Sequence, residues 1–135
     1  MNKRNPTSLF VERINAHDND GLVELMTRDF TFIDSLGVRF VRPAIENGWR
    51  QYFEMVPDYW IKVDRSITEG NTTILIGSAG GNYVSRGARG RPGKSWETPA
   101  VWVARIRGTK MTEWRIYSDN EPIRARMREA NGKTD

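Results

Sequence analysis

The sequence predicts an α+β domain in which helices are segregated from a long antiparallel sheet. Three observations carry this. Helical periodicity dominates residues 5–57, strand patterning fills residues 60–119, and glycine-bearing turns separate successive strands at hairpin distance. Asn5-Pro6 supplies a cap and a first-turn proline, and Phe10, Ile14 and His17 then recur at i, i+4 and i+7. Asp18 or Asp20 can cap a second helix, with Leu22, Leu25 and Met26 on one face. After Arg28-Asp29 the period becomes two, with Phe30, Phe32 and Asp34 on one face and Thr31, Ile33 and Ser35 on the other. Gly37 ends that strand. Pro43 opens a third helix, whose Ile45, Trp49, Tyr52 and Phe53 share a face, and Pro57 ends it.

The second half reads as four antiparallel strands and a terminal helix. Trp60 to Thr68 is followed by a turn at Glu69-Gly70-Asn71 and by Thr72 to Val84, where Gly80-Gly81 marks a bulge or bend. A loop over Ser85 to Lys94 leads to Trp96 to Arg107, and Gly108-Thr109-Lys110 turns the chain into Met111 to Asp119. Val101 and Val103 alternate with Trp102 and Ala104, so both faces are apolar and this strand is central. Pro122 opens the last helix.

Composition bounds the chemistry. A length of 135 residues allows one domain, taken as 1–135 with 1–5 and 130–135 as flexible ends. The 38% hydrophobic fraction and 12 glycines together fall in the ordinary globular range, which argues against disorder. The absence of cysteine excludes disulfides, thiolate metal sites and cysteine nucleophiles. A single histidine, His17, excludes histidine-rich metal sites, and neither a metal nor an organic cofactor is expected. The net charge is +4. Its basic clusters (Arg86, Arg89, Arg91 and Lys94; Arg124, Arg126 and Arg128) read as a solvated loop and a solvated helix rather than a nucleic-acid surface. No apolar run approaches the roughly 18 residues of a membrane span. Asn5-Pro6 stands where a signal peptide needs its apolar stretch, so a soluble, cytoplasmic chain is expected.

Asp34 is the residue that looks like chemistry. If that strand face is the buried one, the carboxylate sits at the end of an apolar surface, a setting that makes a carboxylate a better proton acceptor. The alternative is a carboxylate that accepts backbone N–H groups in the turn before Gly37.

Three segments carry a resemblance: Asn15-Ala16-His17-Asp18-Asn19-Asp20-Gly21-Leu22, Asp29-Phe30-Thr31-Phe32-Ile33-Asp34-Ser35-Leu36-Gly37, and Glu113-Trp114-Arg115-Ile116-Tyr117-Ser118-Asp119. In order and spacing they resemble the SnoaL-like branch of the NTF2-like superfamily, which includes the ketosteroid isomerases. The resemblance implies a cone: three N-terminal helices packed on a strongly bent, mixed but mostly antiparallel sheet, with a pocket at the open end. It aligns Asp34 with the isomerase aspartate that shuttles a proton. The isomerase's two oxyanion donors, a tyrosine and a protonated aspartate, fall at Phe10 and Val101. Losing one such donor costs about 10²–10³ in rate, so steroid isomerisation by that mechanism is not expected. The acid of limonene-epoxide-hydrolase-like members falls at Ile116, and the sheet lacks the histidines of SnoaL-type cyclases and scytalone dehydratases. His17 reads as a helix-terminus residue or as a weaker catalytic candidate near Phe10 and Ile14.

Strand alternation places Val101 and Val103 on the pocket face with Trp114, Ile116 and Ser118. Trp49 and Phe53 come from the third helix, and Phe10, Ile14, Met26 and Phe32 form the opposite wall. An apolar cup with one carboxylate is the profile of a small-molecule site; a plain hydrophobic core is the alternative. Two functions follow. One is cofactor-free proton transfer by Asp34 on a small hydrophobic, polycyclic or aromatic molecule, of isomerase or lyase type. The other is a non-catalytic ligand-binding or protein-interaction module. The resemblance also implies a homodimer through the outer sheet face, to which Ala100, Trp102 and Ala104 are assigned.

Overall fold

The computed structural model describes residues 5–84 and 94–132. The chain runs α1 (Pro6–Asn15), α2 (Asn19–Glu24), β1 (Met26–Ile33), β2 (Arg39–Val41), α3 (Arg42–Met55), β3 (Trp60–Glu69), β4 (Thr72–Tyr83), β5 (Lys94–Arg107), β6 (Lys110–Ser118) and α4 (Glu121–Gly132). The six strands form one sheet in the order β2-β1-β6-β5-β4-β3, and only the β1–β6 pair is parallel. This is the expected α+β class, with four helices and a short extra strand, β2. The basic loop read at Arg86, Arg89 and Arg91 lies outside the described residues, as do most of the expected flexible ends.

Local chemistry accounts for the boundaries. The Asn5 side chain accepts the Ser8 N–H at 2.8 Å and caps α1, and Asp18 accepts the Gly21 N–H at 2.9 Å and caps α2. Gly21 has no room for a side chain, because an added Cβ would lie 2.2 Å from the Asp18 carboxylate it bonds. Two hairpin turns rest on glycines at positive φ, Gly70 at 60° and Gly108 at 63°. In β4, Gly81 has a positive φ of 155°, yet the ladder to β5 runs through Gly80 and Gly81 without a shift; the register shift falls instead in β3, between Val63 and Arg65. After β6, the Asp119 carboxylate accepts the Glu121 N–H at 2.9 Å and starts α4.

The helices cover one face of the curled sheet. Phe10 and Ile14 of α1, Leu22 of α2, Ile45 of α3 and Ile123 of α4 join a single apolar cluster with Trp102 of β5 and Trp114 of β6. The inner face is fixed by strand register. Trp102 lies opposite Ile116 and Ala104 opposite Trp114, so these four side chains point inward together. Ala100, Trp102 and Ala104 are all buried, which corrects their assignment to the outer face. Val101 and Val103 are the outward residues, opposite Tyr117 and Arg115. They therefore do not line the interior, which corrects their place in the expected pocket wall. A one-residue error of register exchanges every side chain between faces.

Ion pairs lie on the surface. Arg107 grips Asp29 with two guanidinium N–H groups, at 2.8 and 3.3 Å. The first effect of that grip is to hold the Asp29 carboxyl at about 2, below its ordinary 3.8. A depressed folded-state pKa gives stability that is complete above the unfolded value and is lost as pH falls through the folded one. The loss is therefore expected between about pH 4 and pH 2. Titration of the Asp29 carboxyl by NMR should show its midpoint return toward 3.8 in Arg107→Gln.

Candidate functional site

Asp34 follows β1 directly and is half-buried. Its Oδ1 accepts the Leu36 and Val38 N–H groups, each at 2.9 Å, and its backbone N–H donates to the Val38 carbonyl at 3.0 Å. The carboxylate therefore organises the turn that closes at Gly37, whose φ is 83°. Oδ2 has no hydrogen-bond partner among the described residues. Next along the chain, the Ser35 hydroxyl meets the Ser118 hydroxyl at 3.2 Å, tying the Asp34 turn to the end of β6.

The aromatic side chains assemble as a connected system. Phe10 packs on Trp114, Phe30 and Trp49 with ring centroids 4.8, 6.0 and 6.4 Å apart. Phe10, Ile14, Met26 and Trp114 are almost completely buried and fill the space between helices and sheet. They form a packed floor. Phe32, Trp49, Phe53 and Ile116 are half-buried against that floor. Their rings continue outward: Phe40 to Phe32 at 6.1 Å, Phe32 to Trp49 at 6.2 Å, and Trp49 to Phe53 at 5.4 Å. Of the sequence-predicted residues, the structure thus brings together Phe32, Trp49, Phe53 and Ile116 above Phe10, Ile14, Met26 and Trp114. Ser118 stands beside the Asp34 turn, and Val101 and Val103 point away.

His17 closes the outer end of the ring series. Its φ of 55° places it in the left-handed region at the exit of α1. The imidazole stacks on Phe53 at 4.6 Å, and Nε2 donates to the Tyr59 carbonyl at 2.6 Å. It therefore joins the α1–α2 turn to the start of β3, the helix-terminus role. Asn15 works beside it, exchanging two hydrogen bonds with the backbone of Ile61 at 2.8 and 3.0 Å. Nothing in the helical periodicity singles out Asn15, because its partner is a strand edge 46 residues away. Nearby, burial pushes the Asp58 carboxyl up, but the N–H donors of Asn82 outweigh it and leave it below its ordinary value.

Sequence reasoning also passed over Tyr52, Tyr59 and Trp96 as a group. The Tyr52 and Tyr59 rings meet edge to face at 4.9 Å, and Tyr59 stacks on Trp96 at 6.3 Å. Trp96 is 8% exposed. These residues come from α3, the loop before β3, and β5, so only the fold brings them together. Two surface clefts lie apart from the Phe32–Phe53 series, one beside Trp60, Asn82 and Arg126 and one beside Asp20, Glu46 and Arg50. No group of three or more histidine, aspartate or glutamate side chains suited to a metal ion occurs among the described residues.

A model of the SnoaL-like domain family matches residues 8–114, most of the chain. This protein belongs to the SnoaL-like domain family. No curated protein matches it significantly by sequence. Among solved structures, a protein with a ketosteroid isomerase-like fold from Catenulispora acidiphila, in complex with trimethylamine, is similar with a TM-score of 0.76 and 16% identity over 93% of each chain. A structure named for a SnoaL-like polyketide cyclase from Shewanella denitrificans has a TM-score of 0.78 and 15% identity over 92% of this chain and 95% of that one. IdmH from Streptomyces antibioticus, likewise named for polyketide cyclisation, has a TM-score of 0.74 and 19% identity over 90% and 95%. At these identities the likeness establishes the NTF2-like fold of this SnoaL-like protein, and fold alone does not assign a reaction. No helix among the described residues is long and apolar enough to cross a membrane.

Proposed function

We propose that this SnoaL-like protein binds a small hydrophobic molecule with an aromatic or polycyclic ring system against Phe32, Trp49, Phe53 and Ile116. In this reading Asp34 moves a proton on that molecule, without metal or organic cofactor, as in an isomerase or lyase. The observation that carries the reading is the Asp34 carboxylate itself, with one oxygen engaged by the turn and Oδ2 unpartnered, two residues beyond Phe32. Half-buried aromatic rings offer flat apolar contact, and a carboxylate at their margin is a suitable proton acceptor. The polyketide-cyclase names of two similar structures favour a polycyclic ligand class.

The test is proton exchange. The protein should accelerate deuterium uptake from D₂O at the acidic carbon of 2-tetralone, a bicyclic ketone, and Asp34→Asn should abolish the acceleration. Exchange at the buffer rate with the unsubstituted protein, or unchanged exchange in the variant, removes Asp34 as a base. Tryptophan fluorescence that reports 2-tetralone binding equally in both proteins, with no exchange in either, favours the non-catalytic binding module.

The outer sheet face supports a second property, self-association. Ile67 lies opposite Ile74, Ile74 opposite Val103, and Ile76 opposite Val101, which itself faces Tyr117. Ile67, Ile74, Ile76 and Tyr117 are each more than a third exposed, and they make a continuous apolar stripe across four strands. A homodimer through this stripe replaces the arrangement expected around Trp102. Sedimentation at micromolar concentration should show a dimer that Ile76→Asp converts to monomer; a monomeric unsubstituted protein refutes it.

A further inference from the structure

The apolar stripe on the outer sheet face has a cation in it. Arg115 of β6 lies between Val103 of β5 and Ile33 of β1, and Ile33 is almost completely buried. The half-buried Arg115 guanidinium is stacked over the Tyr117 ring, 4.8 Å from its centroid. Its Nε–H is buried and has no acceptor, and Arg115 makes no ion pair among the described residues. Stacking orients the guanidinium but leaves its N–H donors unmatched, and a buried donor without a partner is costly. The same face carries the complementary charge. By strand alternation Glu97, Pro99, Val101 and Val103 share the outer side of β5. Glu97 is exposed and makes no hydrogen bond or ion pair among the described residues. Its neighbours on this side are engaged: Glu113 by Arg105 at 3.6 Å, Asp64 by Lys62 at 3.8 Å, and Asp119 by the Glu121 N–H. Glu69 stands apart, at the hairpin end of β3.

We propose that Arg115 pairs with Glu97 of a second copy of this chain, and that this pair, made twice, sets the register of the homodimer. The proposal rests on the self-association reading above and names the residues that decide how two copies meet. Within one copy the two charges stay apart. Glu97 precedes Val103 by six residues along β5, about 20 Å, while Arg115 is level with Val103. A face that bears an unmatched cation and an unmatched anion is complementary to itself, and a closed two-fold dimer presents that face from both sides. A two-fold axis lying across the strands at the level of Ala100, midway between Val103 and Glu97, sets each Arg115 over Glu97 of the other copy. The same axis lays Ile74, which is opposite Val103, over Gly80 of the other copy, which is opposite Glu97. Gly80 is covered by the Trp60 ring, whose nearest atom would stand 2.7 Å from an added Cβ, so an apolar side chain meets an apolar surface there. Once water is excluded, removing one member of such a pair strands the other, so each substitution costs more than the pair itself contributes.

The test is charge reversal read by sedimentation equilibrium. Arg115→Glu and Glu97→Arg should each weaken dimerisation about a hundredfold or more, because each sets like charges together twice. Glu69→Arg makes the same change of charge at the hairpin end and should leave the dimer almost unaltered. An equimolar mixture of the Arg115→Glu and Glu97→Arg proteins should recover a dimer made of one copy of each, which native mass spectrometry resolves because the two chains differ in mass. A single chain carrying both reversals should dimerise with itself. Arg115→Gln and Glu97→Gln, which remove charge without reversing it, should each weaken the dimer about tenfold, and they serve where a reversal disturbs the circular dichroism of the fold. A dimer that withstands the substitutions at both positions overturns the pair, and so does dissociation of well-folded single variants with no recovery on mixing. Either result leaves the apolar-stripe dimer standing. A monomeric unsubstituted protein removes the pair and the dimer together.

Discussion

Trp102→Ala is expected to destabilise the protein by about 3–5 kcal/mol, whereas Val101→Ala, one residue away, should cost less than about 1.5 kcal/mol. Trp102 is 1% exposed, and its ring stacks on Trp114 at 6.2 Å. Removing the indole opens a void between the central strands and the helices that cover them, and strips a neighbour from the packed floor. Val101 sits on the other face beside Tyr117 and Ile76, where solvent replaces the lost methyl groups. Urea unfolding of the two variants, compared at equal slope, checks the difference. Equal losses, or the larger loss at Val101, would mean that the faces of β5 are assigned the wrong way round.

That pair of residues also shows where the sequence stops being legible. Along β5, valine and tryptophan alternate with no polar residue between Pro99 and Arg105, so hydrophobic alternation carries no information about which side is inward. The answer lies in pairing with β6, and register depends on turn geometry that composition does not specify. The same limit hides the Tyr52–Tyr59–Trp96 group, whose members are up to 44 residues apart and meet only after the sheet has formed. β2 escapes for a different reason: three residues, Arg39–Val41, are too few to show a period. β1 starts at Met26, earlier than expected, because Leu25 and Met26 also fit the helical face of α2. What could be read well is local chemistry. The Asn5 and Asp18 caps, the proline-led start of α1, and the glycine turns at Gly37, Gly70 and Gly108 each depend on neighbours in sequence, and each occurs where the residues place it.

Asp34 joins a local role to a chemical one, and two substitutions separate them. Asp34→Asn retains a side-chain oxygen that can accept the Leu36 and Val38 N–H groups, so the turn should survive with a loss of about 1 kcal/mol or less. Asp34→Ala removes both bonds and should cost about 1–3 kcal/mol. If Asp34 is the base, both variants lose proton exchange by about 10²–10⁴, because neither amide nor methyl accepts a proton at neutral pH. The loss in rate is then the same for two proteins of different stability. If the carboxylate only shapes the turn, activity instead follows stability, and the asparagine variant keeps most of its exchange while the alanine variant does not. The comparison is informative because one oxygen of the same side chain is committed to the backbone and the other is not. A carboxylate fixed in this way loses no orientation when a ligand arrives, so the turn that Oδ1 builds is also what would hold Oδ2 in place for proton transfer.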